Sequence, residues 1–92
     1  MIVRVLGEGQ YELPDDSADT LNEYDRTLTA ALEAGDEAAF RSSLGRLVET
    51  VRTAGSRLAD DTLLPSDVVL PGVDATIDDV RGMLGDEGLV PG

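Results

Sequence analysis

TLNEYDRTLTAALEAGDEAAFRSSLGRLVETVRTAG, residues 20–55, decides the fold. In its first half Leu21, Tyr24, Leu28, Ala31 and Leu32 recur at i, i+3, i+7, i+10 and i+11, the spacing of one helical face. Gly35 closes that pattern, and Asp36 is placed to cap a second helix at once. Phe40, Leu44, Leu47, Val48 and Val51 then repeat at i, i+4, i+7, i+8 and i+11 until Gly55 ends the run. Upstream, Asp15 to Thr20 is crowded with N-cap residues, and Thr20 with Glu23 has capping-box spacing, which predicts that the first helix starts there. A connection of one or two residues between two amphipathic helices makes an antiparallel αα-hairpin. Each stripe is then offered to the other helix and to a sheet.

Working outward, Ile2-Val3-Arg4-Val5-Leu6 is short and β-branched and is followed by Gly7-Glu8-Gly9, as a strand entering a hairpin turn would be. Gln10-Tyr11-Glu12-Leu13 returns as a second strand, and Pro14 stops it. Neither a cationic start, a long apolar run nor a small-residue cleavage site marks this opening as a secretion signal. One hairpin alone is marginal in water, so it must pack on the helices. Between Leu58 and Pro71 the pattern breaks at Pro65 and Pro71; Val68-Val69-Leu70 reads either as a short third strand or as an extended loop. Beyond it, Asp74 or Thr76 can cap a short C-terminal helix with Ile77, Val80 and Leu84 inward, weakened by Gly82. The Leu89-Val90-Pro91 tail is expected to dock on the body. The expected fold is α+β, an N-terminal β-hairpin packed on an αα-hairpin, and 92 residues make one domain spanning 1–92.

Charge and absent residue types narrow the chemistry. There are 19 acidic and 7 basic residues, a net charge of −12, and every basic residue is Arg. Such self-repulsion opposes the folded state in dilute buffer and fades as the Debye length shrinks to about 3 Å near 1 M salt. The composition therefore suits a cytoplasm rich in salt, although a GC-rich genome also favours Asp, Gly, Ala and Arg over Lys. Nucleic acid and anionic lipid are disfavoured as partners, because both demand a basic face. Nothing approaches the roughly 18 consecutive apolar residues of a membrane span, and a cytoplasmic protein without direct membrane insertion is expected.

With no Cys, His or Lys, thiolate metal sites, disulfides, the commonest general base and Schiff-base amines are all missing. Asp15-Asp16, Asp60-Asp61 and Asp78-Asp79 are adjacent pairs, and adjacent residues point to different faces rather than forming a catalytic dyad. Asp15, Asp16 and Asp19 lie where helix capping accounts for them, and no EF-hand loop is present. Gly7-Glu8-Gly9 leads into a strand, whereas a dinucleotide fingerprint opens a helix. The expectation is a protein that is no enzyme and needs no cofactor or metal.

One local imbalance points to binding. Arg41, Arg46, Arg52 and Arg57 share residues 41–57 with a single acid, Glu49, so this segment carries +3 and the rest −15. On a helical wheel Arg41 and Arg52 lie about 20° apart beside the apolar stripe, with Arg46 toward solvent. Two readings stay open. Arg41 and Arg52 pair with first-helix acids such as Glu23, Asp25 or Glu33, or else Arg41, Arg46 and Arg52 form a guanidinium rim that docks an acidic amphipathic helix of another protein.

The stretches MIVRVLGEGQYELPDD, EAGDEAAF, LPSDVVLP, DATIDDVR and EGLVPG, in that order along nearly the whole chain, resemble the PspA-associated (PspAA) family. The resemblance implies a small non-enzymatic accessory of PspA, the phage-shock protein grouped with the Vipp and ESCRT-III-like membrane-remodelling coiled coils. It implies an adaptor that accompanies or regulates such a protein in the stress response, recruited through it to the inner face of the membrane. No binding residue is carried over from the family. Two rival functions remain, a homodimer that pairs exposed strand edges and a metal- or ligand-sensing domain built on the clustered carboxylates.

Overall fold

The computed structural model describes residues 1–59, 61, 62 and 64–82. Seven elements follow in order: β1 (Ile2–Val5), β2 (Gly9–Glu12), α1 (Ser17–Ala34), α2 (Glu37–Ala54), β3 (Ser56–Arg57), β4 (Val68–Leu70) and α3 (Ile77–Arg81). The fold is α+β, with the hairpin and the helical hairpin where the sequence places them.

The turn between β1 and β2 is closed by the Glu8 N–H donating to the Val5 carbonyl at 3.0 Å. Gly7, at φ 85, fills the third turn position, where a type II geometry requires positive φ. The first helix begins a full turn before Thr20: its N-cap is Asp16, whose side chain makes no capping bond. The Thr20/Glu23 spacing is therefore inside α1 and starts nothing, because the first turn forms at the close of the β2 connection, where Ser17 N–H donates to the Pro14 carbonyl at 3.0 Å. Gly35 ends α1 in the left-handed region at φ 69, and the Asp36 carboxylate accepts from the Ala39 N–H, capping α2.

Val68–Leu70 is a strand, which settles the open alternative against a loop. It pairs parallel with β1, Val3 opposite Val68 and Val5 opposite Leu70, while β2 lies antiparallel on the other side of β1. A further strand that the sequence reading did not anticipate, the two-residue β3, pairs with β2 through Tyr11–Arg57 and Glu12–Ser56, giving the order β3-β2-β1-β4. Residues opposite one another share a face, so Val3, Val5, Tyr11, Val68 and Leu70 form the inner one. They close one core with Leu21, Leu28, Ala31, Leu32, Phe40, Leu44, Leu47, Val48 and Val51 of the helices and Val80 of α3. Tyr24, expected on the stripe, is half-buried at its margin, and Asp25 and Ser43 are buried beside it. Helix α2 leaves this core at Gly55, where an added Cβ would stand 2.7 Å from the Val51 carbonyl and 2.8 Å from Leu13 Cδ1. Only glycine lets the helix end run so close to the hairpin.

Between β3 and β4, Leu64 and Ser66 lie against the outer face of the sheet. Gln10 on that face holds them: its amide nitrogen donates to the Leu64 carbonyl at 2.6 Å and to Ser66 Oγ at 2.9 Å. Thr76, rather than Asp74, caps α3, in a reciprocal capping box with Asp79. Arg81 reaches back to donate to the Leu32 carbonyl at 3.0 Å, placing a cation at the C-terminal end of α1. Leu84 and the Leu89-Val90-Pro91 tail lie outside the described residues.

Candidate partner-docking surface

The four arginines do not form one rim. From Arg41 to Arg52 is eleven residues along a single helix, about 16 Å at 1.5 Å per residue, and Arg41, Arg52 and Arg57 each have a partner within the chain. Arg41 pairs with Glu37 one turn earlier at 3.2 Å. Arg52 meets Glu49 at 3.5 Å and, more closely, Glu8 in the hairpin turn, where its Nε donates to Oε1 at 2.9 Å and its Nη2 to Oε2. The expected pairing of Arg41 and Arg52 with Glu23, Asp25 or Glu33 of the first helix is thus replaced by Glu37 for Arg41 and by the acid at the tip of the hairpin for Arg52. The end of α2 packs on Leu13, and the long Arg52 side chain reaches along β2 to the acid in the hairpin turn. Arg57 donates to the Glu8 main-chain carbonyl at 2.6 Å.

Glu8 is therefore the knot that ties the hairpin to the end of α2. Hydrogen bonding from Arg52 holds its carboxyl below the ordinary value of 4.5, opposed by partial burial and reinforced by the Tyr11 hydroxyl, which donates to Oε1 at 3.1 Å, and by the nearby charges of Arg52 and Arg57. The same pairing pushes Arg52 upward. A depressed carboxyl contributes stability above its unfolded-state pKa and loses it as pH falls through the folded one. Glu8→Gln should accordingly lower Tm near neutral pH, with the gap to the parent closing as pH drops below 4.5. Because the pair is partly solvated, the shift is modest beside a core truncation. Thermal melts of both proteins across this range check it, and a gap that does not depend on pH would contradict the assignment.

Arg46 differs from its neighbours: it is exposed and forms no ion pair among the described residues. It stands on one wall of a groove along the α1–α2 seam, about 300 Å³ in volume, with Glu23 and Thr27 on the α1 wall and Ser42 beside Arg46 on the α2 wall. Tyr24, Ala39 and Ser43 make the floor. Of the three arginines expected to bind a partner, only Arg46 thus has an uncommitted guanidinium.

The rival sites find little geometry. Among the described residues no three carboxylates gather into a group able to hold a metal ion. Asp79 is spent on its capping box, and Asp60 falls outside the described residues. The sheet edges are poor templates for strand pairing, since β3 has two residues and β4 three, the latter bracketed by Pro65 and Pro71. No described helix is long and apolar enough to cross a membrane.

The chain is thus a two-layer α+β domain with an open, solvent-facing groove on its helical hairpin. The chain belongs to the PspA-associated protein (PspAA) family, whose model matches residues 1–92, the whole chain. Membership ties it to PspA. Neither a curated protein nor a solved structure gives a match.

Proposed function

We propose that this domain is a non-catalytic adaptor that binds a PspA-like coiled-coil protein and modulates its assembly or signalling. What supports the reading most is the uncommitted Arg46 beside the seam groove, in a chain whose family is defined by association with PspA. A long helical partner supplies acidic and apolar side chains in register, and a helix-lined groove with one accessible guanidinium accepts that pattern. Apolar anchors would carry the affinity and Arg46 the orientation, because exposed charges are screened in salt. The domain works in the cytoplasm and reaches the membrane's inner face through its partner; a surface of net charge −12 has no affinity of its own for anionic lipid.

Capture of the purified PspA-like protein of the same genome, in high salt, tests the reading. Arg46→Glu should weaken capture about threefold to tenfold, the range over which one rim charge acts. Arg52→Glu should loosen the fold by breaking the Glu8 knot, seen by circular dichroism, with a smaller effect on capture at temperatures where it stays folded. Failure of the parent protein to capture PspA at all rejects the adaptor role. Equal capture by parent, Arg46→Glu and folded Arg52→Glu rejects the arginine contribution.

A further inference from the structure

The seam groove holds one detail that the fold does not require. Ser43 is 3% exposed and lines the floor; no fully buried side-chain polar atom among the described residues lacks a partner, so the Ser43 hydroxyl, which makes no hydrogen bond there, is open to the groove. Four of the five threonines within the helices behave otherwise: Thr27, Thr29, Thr50 and Thr53 each donate to the carbonyl four residues earlier. A hydroxyl open to the groove and not engaged in this local bond is available to a group entering from outside. Above it the walls carry opposite charge, Glu23 on α1 and Arg46 on α2, and neither is in an ion pair among the described residues. The groove is thus neutral overall on a surface of net charge −12, and it has a polarity, acid on one side and cation on the other.

From Ala39 to Arg46 the groove follows about 10 Å of helix, two turns. That length matches two turns of a third helix laid along the seam, with an apolar side chain on the ring of Tyr24 and the methyl of Ala39. Resting on the adaptor reading above, we propose that the groove seats one amphipathic helix of the PspA-like partner and reads its direction. The seated helix presents an apolar side chain to the floor beside a hydroxyl or amide bonded to Ser43. It turns a carboxylate toward Arg46 and a cation toward Glu23. Charge complementarity chooses this occupant: a wholly acidic helix is repelled by Glu23 and the surrounding charge, and a wholly basic one sets a like charge against Arg46 and leaves that guanidinium without its carboxylate.

The test is affinity for the purified PspA-like protein of the same genome at the lowest ionic strength at which each variant is folded, with circular dichroism confirming each fold. Glu23→Arg combined with Arg46→Glu reverses the polarity and leaves the net charge at −12, since the changes of +2 and −2 cancel. The swap should cost at least about tenfold in Kd, as two misplaced rim charges and their desolvation act together. Ser42→Trp, at an exposed wall position, should cost as much by filling the groove. Glu12→Arg, an exposed charge change on the sheet, should leave Kd within about twofold. Parent-like binding by both the swap and Ser42→Trp overturns the groove while leaving the adaptor reading standing; no binding by the parent overturns both. Light scattering that shows a dimer of the parent abolished by Ser42→Trp assigns the groove to a second copy of the chain and overturns the proposal.

Discussion

Phe40→Ala should come close to unfolding this protein. Phe40 is the only phenylalanine, the largest of the fully buried side chains and 1% exposed, in a core shared by both long helices and the sheet. Truncating a buried Phe removes its transfer free energy and leaves a cavity that its neighbours fill only partly, at about 3–5 kcal/mol. A domain of this size has a total stability of about 5–10 kcal/mol, so from about a third to nearly all of it disappears. Tm should fall by about 15 °C or more at 4–8 °C per kcal/mol. Phe40→Leu should cost well under half as much, because it retains most of the apolar volume. Urea melts of the two variants decide: an alanine variant within about 1 kcal/mol of the parent would mean that α2 does not anchor the core.

The second large effect is salt. Two influences act in opposite directions as KCl is added. Screening weakens the ion pairs Arg41–Glu37, Arg52–Glu8, Arg52–Glu49 and Arg81–Asp78. It also relieves the mutual repulsion behind a net charge of −12. The pairs are exposed or partly so, and such pairs each contribute about 0–1 kcal/mol, so little is lost with them. With 19 acids against 7 arginines, pairing leaves a net −12 that cannot be cancelled within the chain, and relief of this repulsion wins. Tm should climb steadily from dilute buffer to about 2 M KCl, by about 10 °C or more, with most of the screening gain early, since the Debye length is already near 3 Å at 1 M. A flat or falling curve would assign the Lys-free composition to codon usage alone.

The two effects bear on function through the same helix. Phe40 anchors the inner face of α2, while Ser42 and Arg46 line the groove on its solvent side. A core variant that melts will therefore lose its partner for structural reasons. Surface variants at Glu23, Ser42 and Arg46 are the informative ones, provided that they are compared under conditions where each is folded.

By itself the sequence determined what is local. The two 18-residue helices, their stripes, the glycine stop at Gly35 and the Asp36 cap all depend on contacts within a few residues, and helical periodicity and capping report those directly. The β1–β2 hairpin was equally legible, because its turn lies between the strands it joins. The start of α1 was misplaced because several capping residues compete between Asp15 and Thr20. The structure seats the first turn on Pro14 instead, through the Ser17 N–H.

Only the tertiary structure decided what is distant. The Glu8–Arg52 knot joins residues 44 apart, and the Gln10 clamp on Leu64 joins residues 54 apart. Strand β4 lies parallel to β1 with the helical hairpin between them in sequence, a pairing that no short-range pattern encodes. A helical wheel could show that Arg41 and Arg52 flank the apolar stripe; which carboxylate each would meet depended on how α2 packs against the hairpin turn. Periodicity tells a side chain which way to face, and the assembled core decides what stands opposite it. That is why the helices could be read from the chain, and why Arg46 could be separated from its neighbours only in three dimensions.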